Sequence, residues 1–161
     1  MYHALRCVLV PAVAAACAAV NPYSASRHGG AYMFNYYIPS APGTTPWAPC
    51  WSPDGRWIAV GMQGSIWTVD PESGVATEVA VGRGYASSPA WSPDGRWIAY
   101  SDDWSGKRIQ LRIVNLETRE IRALTDDEHL YLDPAFSPDG GKLAYVSTLP
   151  NGYFNIYVRP I

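Results

Sequence analysis

One nine-residue sequence occurs twice in this chain and returns a third time in a looser form. It runs from Trp51 to Ala59 and from Trp91 to Ala99, and the looser copy runs from Phe136 to Ala144. The leading aromatic residues lie 40 and 45 residues apart. Self-similarity at a period of about 40 residues indicates a repeat architecture, in which each unit is one supersecondary block. The chain is therefore expected to build its core by stacking similar units.

The second repeat shows the structure of one unit. Pro93-Asp94-Gly95 is a tight-turn sequence, because proline presets φ, aspartate bonds its own backbone and glycine accepts a positive φ. Apolar and polar residues alternate after Ile109, as they do in a half-buried strand. The unit as a whole predicts four strands, at Ser87–Ser92, Trp97–Ser101, Ile109–Leu116 and Glu120–Thr125. Four antiparallel strands in about 40 residues are one blade of a β-propeller.

The repeats together predict an all-β fold, a partial β-propeller of about three four-stranded antiparallel blades that form an open arc. Blade 1 is expected at residues 47–86, blade 2 at 87–130 and blade 3 at 131–161, where the fourth strand is missing. Residues 19–46 form an N-terminal segment with a lone predicted strand at 31–38. The blades at the two ends of such an arc are expected to expose apolar faces that a neighbour should cover.

Proline and aromatic positions support the propeller. Pro49, Pro89 and Pro134 each lie two residues before the leading aromatic residue, in the first strand of a blade. Proline is tolerated there, because the innermost strand of a blade is an edge strand beside the central channel. A β-sandwich does not explain why one motif returns at the same place each time. The leading aromatic residues are expected to pack between blades.

The first twenty residues resemble a secretory signal rather than a part of the fold. Arg6 precedes an apolar run that is too short to span a bilayer, and Ala16-Cys17-Ala18 offers a small-x-small cleavage pattern. Residues 1–18 are therefore predicted to be a signal peptide, and the protein to be exported, either periplasmic or secreted, without a transmembrane span. The alternative is a lipoprotein anchored through Cys17. Cys50 is expected to be a small core residue.

The chain shows no pattern of catalytic or metal-binding residues. Its net charge is −2, which gives no basic surface for nucleic acid. Nucleophile elbows, phosphate loops, paired cysteines and His–carboxylate metal spacings are missing from the sequence. We expect no catalytic residue, no metal ligand and no cofactor in this segment. The Ser–Asp pair of each Ser-Pro-Asp-Gly sequence recurs in every repeat, which favours a role in making the turn.

Binding residues are expected in the two connections that join one blade to the next. Each connection runs from an outer strand to an inner strand, so both should stand near the mouth of the channel. Loops on a rigid scaffold carry function more often than the scaffold itself. The connection around residues 125–131 gathers three carboxylates and a histidine. The predicted binding residues are Arg83, Tyr85, Asp126, Asp127, His129 and Tyr131.

Residues 47–161 resemble the TolB-like propeller repeats, which are relatives of the WD repeats. The resemblance rests on the three Ser-Pro-Asp-Gly turns and on the closing Ile-x-x-Leu-Thr pattern at residues 121–125. It implies a protein-interaction propeller of the bacterial envelope, with no enzyme attached and with an envelope protein as its partner.

A narrower resemblance involves segments outside the repeat motif. Gly29–Tyr37, Thr45–Trp51, Gly64–Trp67 and Pro150–Tyr157 resemble the N-terminal propeller of exported amidohydrolases. This implies a non-catalytic accessory domain of a larger metal-dependent hydrolase. Its partners would be the remaining blades and a C-terminal domain, which would hold the divalent metal. The three histidines are isolated, so no catalytic residue of that family has a counterpart here, and both interpretations stay open.

Overall fold

The computed structural model describes residues 46–81, 85–103, 108–149 and 152–161. Within these ranges the chain consists of eleven strands, with turns between them and no helix. The strands are β1 (Trp47–Trp51), β2 (Ile58–Met62), β3 (Ser65–Val69), β4 (Ala76–Ala80), β5 (Tyr85–Trp91), β6 (Trp97–Asp103), β7 (Ile109–Asn115), β8 (Ile121–Ala123), β9 (Tyr131–Phe136), β10 (Lys142–Ser147) and β11 (Asn155–Pro160). The predicted signal peptide and the lone strand at residues 31–38 lie outside the described residues.

The strands form three antiparallel sheets, and each strand pairs with its neighbours along the chain. The first sheet holds β1 to β4, the second β5 to β8, and the third β9 to β11. The first strand of the middle sheet contacts both β1 and β9, so the three first strands lie side by side at the centre of the arc. The sheets do not close into a ring. The all-β partial propeller predicted from the repeats is therefore confirmed, and below each sheet is called a blade.

The four strands predicted for blade 2 agree with the structure to within two residues at each end, and the ends of β6 and β8 differ for a physical reason. β6 continues to Asp103, two residues beyond its predicted end at Ser101, because Asp102 and Asp103 still pair with Gln110 and Ile109. β8 is shorter than predicted and ends at Ala123. Beyond it, the amides of Leu124 and Thr125 both donate to the carbonyl oxygen of Leu111, at 2.8 and 3.3 Å, which breaks the regular ladder.

The Ser-Pro-Asp-Gly turns are built the same way in all three blades. In blade 1 the Ser52 hydroxyl donates to Asp54 Oδ1 at 2.6 Å and accepts from the backbone amide of Trp57 at 2.9 Å. Gly55 supplies the positive φ, at 69°, that closes the turn. The equivalent bonds recur from Ser92 and Ser137. The serine and aspartate of each motif therefore hold the turn together, as the sequence predicted.

Each inner strand carries a bulge just before its proline. Ala48, Ser88 and Asp133 have φ values of 49°, 49° and 50°, and the register of the strand pairing shifts at the same place in every blade. A residue in the left-handed region adds one unpaired position to its strand, which is the geometry of a β-bulge. The Ser88 hydroxyl donates to Asp133 Oδ1 at 2.7 Å, so two of these bulges are joined across neighbouring blades.

The core lies between blades rather than within them. One cluster joins blades 1 and 2, with Ile66 and Val79 on one side and Ile98, Tyr100 and Val114 on the other. A second cluster joins blades 2 and 3 around Leu111, Tyr131, Leu143 and Tyr145. Gly61 allows the close approach of β5, because a Cβ at this position would lie 3.0 Å from the carbonyl oxygen of Ala86.

The leading aromatic residues differ between the first blade and the others. Trp91 and Phe136 are partly buried and pack against the two inter-blade clusters, as predicted. Trp51 is 57% exposed, because no blade of the described structure precedes blade 1. Cys50, expected in the core, is only half-buried for the same reason. The prediction of inter-blade packing is therefore wrong for Trp51, and that of a core position is wrong for Cys50.

Candidate functional site

The candidate site lies at the end of the sheets that carries the connection from β8 to β9, which we call the loop face. This connection, residues 124–130, is fastened to the strands beneath it. The Gln110 side-chain amide on β7 donates to the carbonyl oxygens of Asp127 and His129, at 3.1 and 2.9 Å. The backbone amide of Leu130 donates to Thr148 Oγ1 at 3.1 Å. The loop is thus held in one conformation by side chains of two blades.

Three of the predicted binding residues meet in this loop. The Tyr131 hydroxyl donates to Asp127 Oδ2 at 2.6 Å, and the backbone amide of His129 donates to Asp127 Oδ1 at 2.8 Å. The imidazole Nδ1 of His129 also lies 3.2 Å from Asp127 Oδ1. Partial burial raises the pKa of Asp127, but these hydrogen bonds outweigh it and leave the pKa below its usual value. Asp127 therefore stays ionised and organises the loop.

A pocket of about 370 Å³ opens beside the loop, between β6, β7 and the residues that follow β8. Six of the seven residues that line it are polar or charged, and they carry charges of both signs. The lining residues are Asp102, Arg108, Gln110, Arg112, Ala123, Thr125 and Asp126.

A buried ion pair forms one wall of this pocket. Arg112 Nε lies 2.6 Å from Asp102 Oδ2, and the Asp102 side chain is only 4% exposed. Burial raises the pKa of Asp102, and the neighbouring guanidinium opposes that rise. The second carboxylate oxygen, Oδ1, is buried and finds no hydrogen-bond partner among the described residues.

The six predicted binding residues occupy different positions in the structure. Asp126 is exposed and lines the pocket, and Asp127, His129 and Tyr131 form the hydrogen-bonded group described above. Tyr85 begins β5 and is 6% exposed, and its burial raises its pKa. Arg83 lies outside the described residues. A role in binding stays a prediction for all six.

Three pocket residues were not anticipated from the sequence. Asp102 lies beyond the predicted end of its strand at Ser101, and Gln110 and Arg112 were expected on the polar face of the strand that begins at Ile109. All three belong to the face of blade 2 that packs towards blade 1, as their pairing with Tyr100 and with one another shows. The sequence did contain a signal for this site. Gln110 and Arg112 are long polar side chains on a strand that neighbouring blades cover on both faces, so they had to be buried with polar partners.

The described residues at the loop face carry groups suited to recognition. They include no group of three or more histidine, cysteine, aspartate or glutamate residues that could hold a metal ion. The same part of the chain contains no helix long and apolar enough to cross a membrane. Guanidinium, carboxylate and amide groups in fixed positions can bind a polar or charged segment of another molecule through hydrogen bonds.

Comparison with protein families gives one match to a family model. The model of the TolB beta propeller domain matches residues 37–161, which include all eleven strands. No curated protein sequence matches the chain.

Solved structures show the same arrangement of strands. A protein assigned as TolB from Agrobacterium tumefaciens is 26% identical with a TM-score of 0.66, over 75% of this chain and 47% of that one. TolB from Acinetobacter baumannii is 22% identical with a TM-score of 0.63, over 73% of this chain and 30% of that one. A chain of the nidogen/laminin complex is 15% identical with a TM-score of 0.60, over 74% and 45%. The chain thus spans less than half the length of these similar structures.

Proposed function

Because the chain belongs to the TolB beta propeller domain family, we propose that it is a non-catalytic protein-interaction propeller whose partner binds on the loop face. The single observation that carries this proposal is the polar pocket at that face. A buried carboxylate–guanidinium pair there stands beside a loop that is fixed by hydrogen bonds.

The chemistry of the pocket supports a polar segment of a protein as the ligand. Arg108 and Asp126 stand at its rim with exposed side chains, and both can pair with charges on a partner. Deeper in the pocket, the partly exposed Arg112 pairs with the buried carboxylate of Asp102. The charges at the rim would steer the association with a partner.

A photo-crosslinking experiment tests the proposal. The crosslinking amino acid p-benzoylphenylalanine replaces Asp126 at the loop face in one protein, and Glu117 in the turn between β7 and β8 in a matched control. Both side chains are exposed, and they lie at opposite ends of blade 2. We expect a discrete adduct with a protein of the host envelope from position 126 and none from position 117. Adding Arg108→Glu to the first protein should reduce the adduct.

The proposal fails if position 126 gives no adduct in the native host, or if both positions give the same adducts. It also fails if Arg108→Glu leaves the adduct from position 126 unchanged, because the pocket would then take no part in binding.

We further propose that the protein is exported and acts in the periplasm or outside the cell. The charged and apolar pattern of residues 1–18 supports this, as does the resemblance to envelope propellers. Mass spectrometry of the protein purified from its host should show a chain that begins near residue 18. A mature chain that still begins at Met1 contradicts the proposal, and a lipid on Cys17 would support the lipoprotein alternative.

The four segments that resemble amidohydrolase propellers favour a second candidate function, that of an accessory domain of an exported metal-dependent hydrolase. In this case the loop face would bind the hydrolase domain of the same protein. The test is the coding sequence that follows Ile161 in the genome. A downstream domain with a His-x-His metal motif supports this candidate, and further propeller repeats alone would exclude it.

A further inference from the structure

The end of the sheets opposite the loop face carries the Ser-Pro-Asp-Gly turns, and we call it the turn face. A groove of about 480 Å³ opens there between blades 1 and 2. It is lined by two tryptophans, Trp57 of blade 1 and Trp91 of blade 2, and by the carboxylates of Asp54 and Asp94. The other lining residues are Ser52, Pro53, Pro93, Gly95 and Leu116. Aromatic rings and negative charges thus meet in this tryptophan groove.

A second groove at the turn face, between blades 2 and 3, shows what lies against the equivalent tryptophan. Trp97 corresponds to Trp57, since each stands six residues after the leading aromatic residue of its motif. The guanidinium carbon of Arg122 lies over the Trp97 ring, 5.3 Å from its centroid, and both residues line the second groove. Glu120 holds this guanidinium through hydrogen bonds of 2.9 and 3.0 Å. One face of Trp97 therefore carries a cation of the chain itself.

Blade 1 has a different residue at the place of this cation. Outward from Ala99, which closes the motif of blade 2, the strand pairs lead through one residue to Arg122. Outward from Ala59 in blade 1, the same path leads to Thr77, which is short and uncharged. Two residues earlier, Val75 stands where blade 2 has its glutamate, and it is 61% exposed. Blade 1 thus supplies neither the guanidinium nor the carboxylate that fixes it.

The tryptophan groove is open and negatively charged. Trp57 is 40% exposed although blade 2 stands beside it. Hydrogen bonds from the serine two residues before each carboxylate hold the pKa of Asp54 and Asp94 below their usual values, so both are ionised at neutral pH. Arg56 Nε lies 3.9 Å from Asp54 Oδ2, but both side chains are more than half exposed, and such an ion pair is weak.

We propose that the tryptophan groove binds an arginine side chain of a partner protein, with its guanidinium over Trp57 and paired with Asp54 or Asp94. Tryptophan is the aromatic residue that attracts cations most strongly. A guanidinium stacks on such a ring and is less strongly hydrated than an ammonium group, so arginine is preferred over lysine. The groove lies at the opposite end of the sheets from the loop face, and it gives the propeller a second binding surface.

A titration followed by NMR tests this assignment on the full chain, labelled with nitrogen-15 at the tryptophan indoles. The probe is the peptide acetyl-Gly-Arg-Gly-amide, and matched peptides carry lysine or citrulline, which has the shape of arginine without its charge. The signal of Trp57 is identified by its loss in Trp57→Phe. We expect millimolar arginine peptide to shift this signal. The citrulline peptide should bind at least about fivefold more weakly, which corresponds to the loss of one cation–π contact.

Filling the groove from within the chain gives a second test. The double variant Val75→Glu/Thr77→Arg rebuilds in blade 1 the pair that places a guanidinium over Trp97. It should abolish the shift of the Trp57 signal, because the groove is then occupied. Val75→Glu/Ala76→Arg is the matched control, since it adds the same charges but directs the arginine to the other side of β4. This control should still bind the arginine peptide.

Equal shifts of the Trp57 signal by the arginine and citrulline peptides overturn the proposal, and so does the absence of a shift by either. It is also overturned if the filled variant binds the arginine peptide as the wild type does, or if the control variant loses binding as well. Circular dichroism checks the β-structure of both variants, and the comparison of peptides on the unchanged chain decides even where a variant fails to fold. These outcomes are independent of whether a partner binds at the loop face.

Discussion

At the scale of single residues, the hydrogen bond that recurs in every blade joins a serine hydroxyl to an aspartate two residues later. Ser92 Oγ donates to Asp94 Oδ1 at 2.5 Å, and the amide of Arg96 donates to the same oxygen at 3.0 Å. The serine hydroxyl first, and the amide second, hold the pKa of Asp94 below its ordinary value of 3.8. The same direction is found for Asp54 and Asp139.

This pattern predicts a loss of stability in acid. A carboxylate whose pKa is lower in the folded state stabilises the fold above pH 3.8, and this contribution disappears as the pH falls through the folded-state pKa. We expect Asp94→Asn to weaken the dependence of the free energy of unfolding on pH between roughly 4 and 2, as measured by urea denaturation. Ser92→Ala should have the same effect. Parallel pH curves for the variants and the wild type would contradict this expectation.

The buried ion pair of the pocket leads to a second prediction. Arg112→Met removes the positive charge beside Asp102 and leaves a buried carboxylate without it, which should lower the free energy of unfolding by about 3 kcal/mol. The double variant Asp102→Leu/Arg112→Met removes both charges and should recover most of that loss. Urea denaturation at neutral pH measures both. A double variant that is no more stable than Arg112→Met would show that the unpaired buried charge is not the cause of the lost stability.

At the scale of strands, the inner-strand bulges are the least expected feature. The prolines identified these strands as edge strands, and that prediction was sound. However, the residue before a proline normally prefers the extended region, whereas Ala48, Ser88 and Asp133 are all left-handed. The conformation depends on the pairing with the neighbouring strand, which a local pattern cannot describe.

The bulge of blade 1 can be tested with a pair of glycine substitutions. Ala48→Gly should raise the free energy of unfolding by up to about 1 kcal/mol, because glycine adopts a positive φ without the steric cost that an L-residue bears. Ala76→Gly, at an exposed and regular position of β4, should lower it by about 0.5–1 kcal/mol. Thermal unfolding followed by circular dichroism measures both. If the two changes have the same sign, the left-handed strain at Ala48 is absent.

The candidate site could be predicted only in part. The loop from Asp126 to Tyr131 was identified, because it joins an outer strand to an inner strand near the mouth of the channel and gathers three carboxylates and a histidine. The pocket beside it was not, because the alternation along β7 tells which residues share a face but not how deeply that face is covered. Arg112 and Asp102 are therefore visible as a pair only once the sheet is formed.

At the scale of the whole molecule, the order of strands within the sheets has a consequence for how the chain folds during synthesis. Each sheet is assembled from consecutive strands, so its hydrogen bonds join residues that are close in sequence. Local contacts of this kind form fast, and domains fold from the N-terminal end as the chain emerges. Blade 1 can therefore form before blade 2 has been translated. β5 can then pack on the face of blade 1 that holds Ile66 and Val79. We therefore expect the blades to form one after another during translation.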